Sequence, residues 1–323
     1  MKIVVLDGHT VNPGDNPWDG IAAFGELTVY ARTPADKIVE RAKDAEIVLP
    51  NKTPLSAETI AQLPLLRFIV ELATGYDSVD VAAAGRRGIP VSNVPEYGTD
   101  SVAQHVFALL LELCNRVGEH AAAVKNGEWS ASPDFSFWKA PLVELSGMKL
   151  GIIGLGRIGL KVAEIAHAFG MEVLAFNPHR SNIPTSVPVT WLEIREIFSA
   201  AEVVSLHCPL VPENRGFVNR ELLSSMKESA FLINTARGAL VNEADLAWAL
   251  DNGKIAGAAV DVVSREPIAA DNPLLFVKNC LITPHIAWAS LAARKRLMAT
   301  AARNIAAFLQ GSPINVVNKD YLR

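Results

Sequence analysis

The chain has 323 residues, half of them hydrophobic, a net charge of −4 and no basic run. That length has room for two packed domains, and the charge argues against a nucleic-acid or anionic-lipid partner. The three cysteines, Cys114, Cys208 and Cys280, are odd in number and scattered, which argues against a disulfide framework and fits a reducing cytoplasm. No Cys or His spacing suits a metal. The first apolar run, Met1–Asp7, is too short for a signal peptide. The most apolar stretch, residues 102–114, is interrupted by Gln104, His105 and Glu112, so no membrane span is expected.

Read in order, Lys2–Leu6 and Leu27–Tyr30 are expected strands, and Pro34–Lys43 a helix capped by Thr33. Glu46–Leu49, Phe68–Leu72 and Pro90–Ser92 continue the strands, with a helix at Ser56–Leu63 between them. Strands alternating with helices imply a doubly wound parallel sheet. The loop Ala73-Thr-Gly-Tyr-Asp77 follows a strand, where such sheets bind ligands, and its amides suit a carboxylate. It reads equally as a plain turn into a helix capped by Asp77 or Ser78. Asn51-Lys-Thr-Pro54 also follows a strand. Val94–Asp100 reads as a linker, and a long helix over 102–125 follows it. That helix is apolar on more than one side, which suits a core helix that also meets a second subunit.

The segment Lys149–Gly159 runs an apolar strand into Gly154-x-Gly156-x-x-Gly159. A helix follows, ended by Gly170, and then a second strand, Glu172–Phe176. This is the strand–turn–helix–strand unit that holds a dinucleotide. Gly154 permits the turn, Gly156 lets the backbone approach a pyrophosphate, and Gly159 lets helix and strand pack. The amides at the helix start face the phosphates. About 20 residues on, where an acidic residue grips the adenosine ribose, stands Asn177, with His179 and Arg180 beside it. The cofactor is therefore NAD or NADP, with a slight lean to NADP. In the alternative reading Asn177 bonds the ribose of NAD and Arg180 is a solvated charge.

Val203–His207, Ala230–Asn234, Ile255–Val260 and Cys280–Ile282 complete six strands. Asn219–Met226 and Glu243–Asp251 are expected helices, the latter capped by Asn242. Three side chains follow the last three strands: Arg237, Glu266 and His285. Singly they read as a surface charge, a loop acid and a core histidine. Together they suit carbonyl–alcohol interconversion beside a nicotinamide. His handles the proton, a carboxylate favours the imidazolium and fixes the tautomer, and Arg grips a substrate carboxylate. Reduction should fall as pH rises, and oxidation as pH falls.

At these motifs the chain resembles the D-isomer-specific 2-hydroxyacid dehydrogenases over nearly its whole length. The matching pieces are Ala73–Asp77, Gly88–Asn93, Asp100-Ser-Val-Ala-Gln-His105, Gly154–Gly159, His207-Cys-Pro209, Asn234–Gly238, Val260–Pro267 and Pro284–Trp288. Within the family it is most similar to glycerate dehydrogenases, that is, hydroxypyruvate reductases, through Asp7–Gly14, Asn51–Leu55 and Ser130–Phe135. The resemblance implies two doubly wound α/β domains. A flavodoxin-like substrate domain would span 1–98 and 287–323, and a Rossmann dinucleotide-binding domain 99–286. It implies that Arg237 orients the substrate and that Glu266 pairs with His285, the acid/base. Thr74, Gly75 and Tyr76 would hold the substrate; Tyr76, Trp138 and Trp288 are candidate walls of its pocket. Gly156, Arg157 and Ile158 would lie on the pyrophosphate, His207, Cys208 and Pro209 along the adenosine, and Thr235 and Asp261 at the nicotinamide. It also implies a homodimer through the 101–125 helix. Asn177 departs from the Asp of NAD-using members. Glu266 argues against a formate dehydrogenase, which pairs its histidine with Gln. The alternatives are a reductase of glyoxylate or another 2-keto acid, or a non-catalytic, cofactor-sensing corepressor.

Overall fold

The computed structural model describes residues 1–178 and 183–322, in two compact units. One is Met1–Gly98 together with the residues from Trp288 on; the other is Thr99–Ala287.

The first unit is built on β1 (Lys2–Val5), β2 (Glu26–Val29), β3 (Ile47–Leu49), β4 (Phe68–Val70) and β5 (Val91–Ser92). They form a five-stranded parallel sheet in the order β2-β1-β3-β4-β5. Alternate residues of a strand face opposite sides, and the cores divide accordingly. Ile3, Val5, Ile47, Leu49, Phe68 and Val70 pack against Leu297, Ala301 and Ile305 of helix Leu291–Leu309. Val4, Val48, Ile69 and Val91 pack on the other side against Ile38, Ile60 and Ala84. Both faces are covered, so the inner strands read as unbroken apolar runs. Thr33 does not cap its helix: its hydroxyl donates to the Leu6 carbonyl, and no side chain caps the 3-10 turn at Ala35–Lys37.

The second unit carries β6 (Lys149–Ile153), β7 (Glu172–Phe176), β8 (Thr190–Trp191), β9 (Val203–Leu206), β10 (Phe231–Asn234), β11 (Gly257–Val260) and β12 (Cys280–Ile282). Its sheet is seven-stranded and parallel, in the order β12-β11-β10-β9-β6-β7-β8. The strand not expected is β8, a two-residue edge whose length leaves no period to read. The chain winds one way from β6 and the other way from β9. The crevice past their carboxyl ends is therefore the topological switch point, where such sheets bind ligands.

The expected helix over 102–125 is two helices, Thr99–Asn115 and Val117–Lys125. Arg116 between them is left-handed at φ 48°, and the Glu112 carboxylate accepts the Gly118 amide at 3.1 Å, closing the corner. The first helix buries Val102, Val106, Leu109 and Leu110 among its apolar residues, whereas the second buries only Ala123.

Candidate active site

The phosphate loop is built as the glycine pattern requires. Gly154 leaves β6 at φ 100°, and a Cβ there would lie 2.5 Å from the Cys208 amide nitrogen. Only glycine satisfies both conditions. That contact draws the loop after β6 against His207 and Cys208, which follow β9, and so closes the floor of the switch point. A Cβ on Gly159 would meet the Gly154 carbonyl at 2.5 Å, whereas one on Gly156 would meet nothing within 4 Å. Gly156 begins helix Arg157–Ala168, and no side chain caps that helix. Its first amides carry the positive end of the helix dipole.

Two half-buried groups beside this loop are uncharged. Burial pushes the His207 pKa down to about 4, and its ring bonds the Ser205 hydroxyl at 2.8 Å. Burial pushes the Cys208 thiol up to about 11, only partly offset by a backbone hydrogen bond. Neither a cation nor a thiolate therefore competes for the loop. Asn177 comes directly after β7, with no carboxylate at that strand end. Arg180 and His179 lie outside the described residues. The Thr235 hydroxyl, just past β10, is the buried side-chain polar atom without a hydrogen-bond partner among the described residues. An orphaned donor of this kind calls for a ligand. The open face at Gly156, the uncapped helix and Thr235 together fit a dinucleotide.

Past β10, β11 and β12 stand the three reactive candidates. The Asn234 side chain straps the first turn, accepting from the Ala236 amide at 3.0 Å and donating to the Arg237 carbonyl at 2.9 Å. The Arg237 guanidinium donates to the Ala236 carbonyl at 2.8 Å. Gly238 then lies against the next strand end so closely that a Cβ would fall 1.9 Å from the Val263 carbonyl carbon. The loop Val262–Pro267 is held from its other side by Glu243, whose carboxylate accepts the Ser264 amide and hydroxyl and the Asn272 amide group at 2.6–2.9 Å.

That loop aims Glu266 at His285. Oε2 lies 2.7 Å from Nδ1. A carboxylate only accepts, so Nδ1 carries a proton and Nε2 is the atom left to exchange one. His285 is left-handed at φ 55°, which costs a residue other than glycine on the order of 1 kcal/mol. Asp261, just past β11, holds it there. The His285 amide donates to the Asp261 carbonyl at 2.8 Å, and the Asp261 carboxylate accepts the amides of Ile286 and Ala287 at 2.9 and 2.8 Å. Thr283 adds its hydroxyl at 2.6 Å. Burial pushes this carboxyl's pKa up, but the hydrogen bonds from His105, Thr283 and the two amides outweigh it and hold it below the usual carboxylate range. Asp261, expected at the nicotinamide, thus spends its oxygens on the segment that carries His285.

In the first unit the loop after β4 is tied back by the Thr74 hydroxyl, which donates to the Val94 carbonyl at 2.9 Å. The Thr74 carbonyl accepts from Asn93, and the Val94 amide donates to Ala73. The amides of Gly75 and Tyr76 take part in none of these bonds, and Tyr76 is exposed. The next helix, Val81–Arg86, is capped by Asp80 rather than Asp77 or Ser78. The 51–53 loop hangs on Asp7, whose carboxylate accepts all three amides at 2.6–2.8 Å. Trp288 packs edge-on against Tyr97, ring centres 6.3 Å apart.

Ser78 bonds Glu71, a carboxyl 1% exposed that the apolar run hides from sequence reading. Burial holds the Glu71 pKa well above the ordinary value. Asp7 and Asp77 add to that, while the Ser78 bond and Lys52 oppose it. The folded chain therefore keeps a proton that the unfolded chain releases, so this group's effect on stability worsens as pH rises past the ordinary carboxylate range. Glu71→Gln keeps the bond to Ser78 and removes the titration. Its urea midpoint should exceed the parent's at pH 8, with the gain vanishing below about pH 4; equal midpoints at pH 8 would show Glu71 ionised without penalty.

Comparison with known proteins agrees with this construction. Residues 107–287 match the family model described as the D-isomer specific 2-hydroxyacid dehydrogenase, NAD binding domain. The chain is 50% identical to a hydroxypyruvate reductase of Blautia hydrogenotrophica, over 99% of this chain and 100% of that one. It is 41% identical to a glycerate dehydrogenase of Methylorubrum extorquens, over 87% and 88%. Among solved structures, an NADPH-dependent glyoxylate/hydroxypyruvate reductase of Sinorhizobium meliloti, in complex with NADP and malonate, superposes with a TM-score of 0.85 at 28% identity, covering 100% of this chain and 98% of that one. A switch-point phosphate loop and a His–Glu pair on successive strand ends are thus joined by close relatives of one kind, and the chain belongs to the D-isomer-specific 2-hydroxyacid dehydrogenases, NAD(P)-dependent oxidoreductases that act on the CH–OH group of 2-hydroxy acids.

Proposed function

We propose that the protein is a hydroxypyruvate reductase that interconverts hydroxypyruvate and D-glycerate. The observation that carries the chemistry is the 2.7 Å bond from His285 Nδ1 to Glu266. The choice of acid rests on the 50% identical relative. The bound nicotinamide supplies the hydride in reduction and accepts it in oxidation. His285 Nε2–H gives its proton to the oxygen of the keto group as the carbon gains hydride, and neutral His285 takes that proton back in oxidation. Glu266 keeps the charged ring in place throughout. Arg237 grips the substrate carboxylate and polarises its keto oxygen. In the first unit the Gly75 and Tyr76 amides serve as receivers for a carboxylate. The first unit is accordingly the substrate domain and the second the dinucleotide-binding domain. Thr235 donates to the cofactor, and Asn177, which carries no charge to repel a 2′-phosphate, supports NADPH over NADH.

The second helix and the segment after it leave Trp129, Phe135, Trp138 and Leu142 between 51% and 91% exposed. Large apolar side chains left this exposed call for cover, which supports a homodimer using helices Thr99–Asn115 and Val117–Lys125. The three free cysteines support a reducing compartment, the cytoplasm. No helix is long and apolar enough to cross a membrane, among the described residues.

The test is steady-state oxidation of NADH and NADPH with hydroxypyruvate, glyoxylate and pyruvate. Hydroxypyruvate is expected to give the highest kcat/KM, and NADPH to be preferred. Faster turnover of glyoxylate would replace the substrate assignment. Binding of cofactor without turnover of any keto acid would favour a sensor. An unchanged KM for NADPH in Arg180→Ala would remove the basis for the NADP preference.

A further inference from the structure

The segment that carries His285 is gripped from helix Thr99–Asn115 at two places. The Ser101 hydroxyl donates to the Ala287 carbonyl at 2.8 Å. One turn further along, His105 Nε2 lies 3.1 Å from the Thr283 hydroxyl and 3.5 Å from Asp261 Oδ1. The direction of these bonds follows from their chemistry. Asp261 is held ionised and can only accept. The single proton of the Thr283 hydroxyl is therefore spent on Asp261 at 2.6 Å. The Thr283 oxygen faces His105 with a lone pair, so His105 Nε2 must carry the hydrogen and donate. His105 thus donates to Thr283 and Thr283 to Asp261, which also accepts the amides of Ile286 and Ala287 just beyond His285.

We propose that His105 is a positioning residue for His285: through Thr283 and Asp261 it holds the left-handed backbone that presents the acid/base ring, and with Ser101 it makes the helix Thr99–Asn115 part of the catalytic frame. The inference rests on the proposed role of His285. Asp261 is 1% exposed, and a buried carboxylate that loses a donor seeks another. The amides of Ile286 and Ala287 share Asp261 with Thr283, so a lost His105 bond that frees the Thr283 hydroxyl is passed through Asp261 to the segment carrying His285 and felt as a shift of that ring rather than as a loss of binding surface. A displacement of about 1 Å at a reacting group costs about a hundredfold in rate.

The experiment compares His105→Leu, His105→Gln and Thr283→Val with the parent. Gln carries an N–H at nearly the reach of the imidazole Nε2, and Thr283→Val breaks the same chain without touching the helix. In His105→Leu and Thr283→Val, kcat with hydroxypyruvate should fall ten- to a hundredfold while both KM values stay within about threefold. The deuterium isotope effect from 4-deuterated cofactor should rise, because the chemical step becomes limiting. Gln should restore most of kcat. A variant that only loses folded molecules lowers apparent kcat but leaves the isotope effect alone, and that result in both substitutions overturns the proposal. The same result follows if Gln is as impaired as Leu. The imidazole NMR signals of His285 in cofactor-free protein give a readout independent of turnover. They should move in Thr283→Val, and unmoved signals contradict the proposal. If the parent turns over no keto acid, the proposed function fails, and these signals still decide whether His105 positions the ring.

Discussion

His285→Asn is expected to lower kcat/KM for reduction of hydroxypyruvate about a thousandfold while the Kd for the dinucleotide stays within about twofold. Asparagine is the informative replacement because it visits the left-handed region more easily than most residues, and position 285 sits at φ 55°. Alanine would confound loss of the proton donor with relaxation of the backbone. The magnitude is that of a positioned general acid and equals about 4 kcal/mol of barrier. Retention of a tenth or more of parental turnover would show that another group, or water, supplies the proton. A parallel loss of dinucleotide affinity would show that the substitution disturbed the switch point instead.

Gly238→Ala is expected to remove activity by a different route. The added Cβ would lie 1.9 Å from the Val263 carbonyl carbon, 2.2 Å from its oxygen and 2.4 Å from the Ser264 nitrogen. All three are backbone atoms, so no rotamer relieves the clash and the ends of β10 and β11 must part. Arg237 stands on one side of that contact and Glu266 on the other. Overpacking of this kind costs about 1–3 kcal/mol, or roughly 2–12 °C in Tm for a unit of this size. The parting of the two loops should lower kcat/KM at least a hundredfold. Gly156→Ala is the control. Its Cβ meets nothing, so Tm should hold while dinucleotide affinity falls. If Gly238→Ala keeps both Tm and activity, the two strand ends are not the rigid pair described above.

The parts of this architecture readable in the sequence are those where a local rule coincides with the global one. Buried parallel strands are mostly apolar, so β6, β7 and β9 are visible as runs. Asn242 announces its helix because its side chain takes the Asp245 amide at 3.2 Å, a bond made within three residues. Arg237, Glu266 and His285 are visible because each directly follows such a run. What was hidden is long-range or without period. The break at Arg116 depends on Glu112 reaching Gly118, and helical spacing on either side masks it. Gly238 looks like an ordinary turn glycine until Val263 is placed against it. Glu71 looks like the polar end of a strand, and only burial shows it to be a carboxyl kept from water. The role of Asp261 was invisible for the same reason, since its partners come from two distant stretches of chain, His105 and residues 283–287.

The second unit is one unbroken stretch of chain, whereas the first is assembled from two. The phosphate loop, Arg237, Glu266, His285 and His105 all lie in that stretch, so a single exchange of genetic material can carry every residue proposed to handle the proton and the dinucleotide. The loops after β3 and β4 lie on the other unit, so an exchange at the two boundaries could replace them without cutting between the phosphate loop and the His285–Glu266 pair.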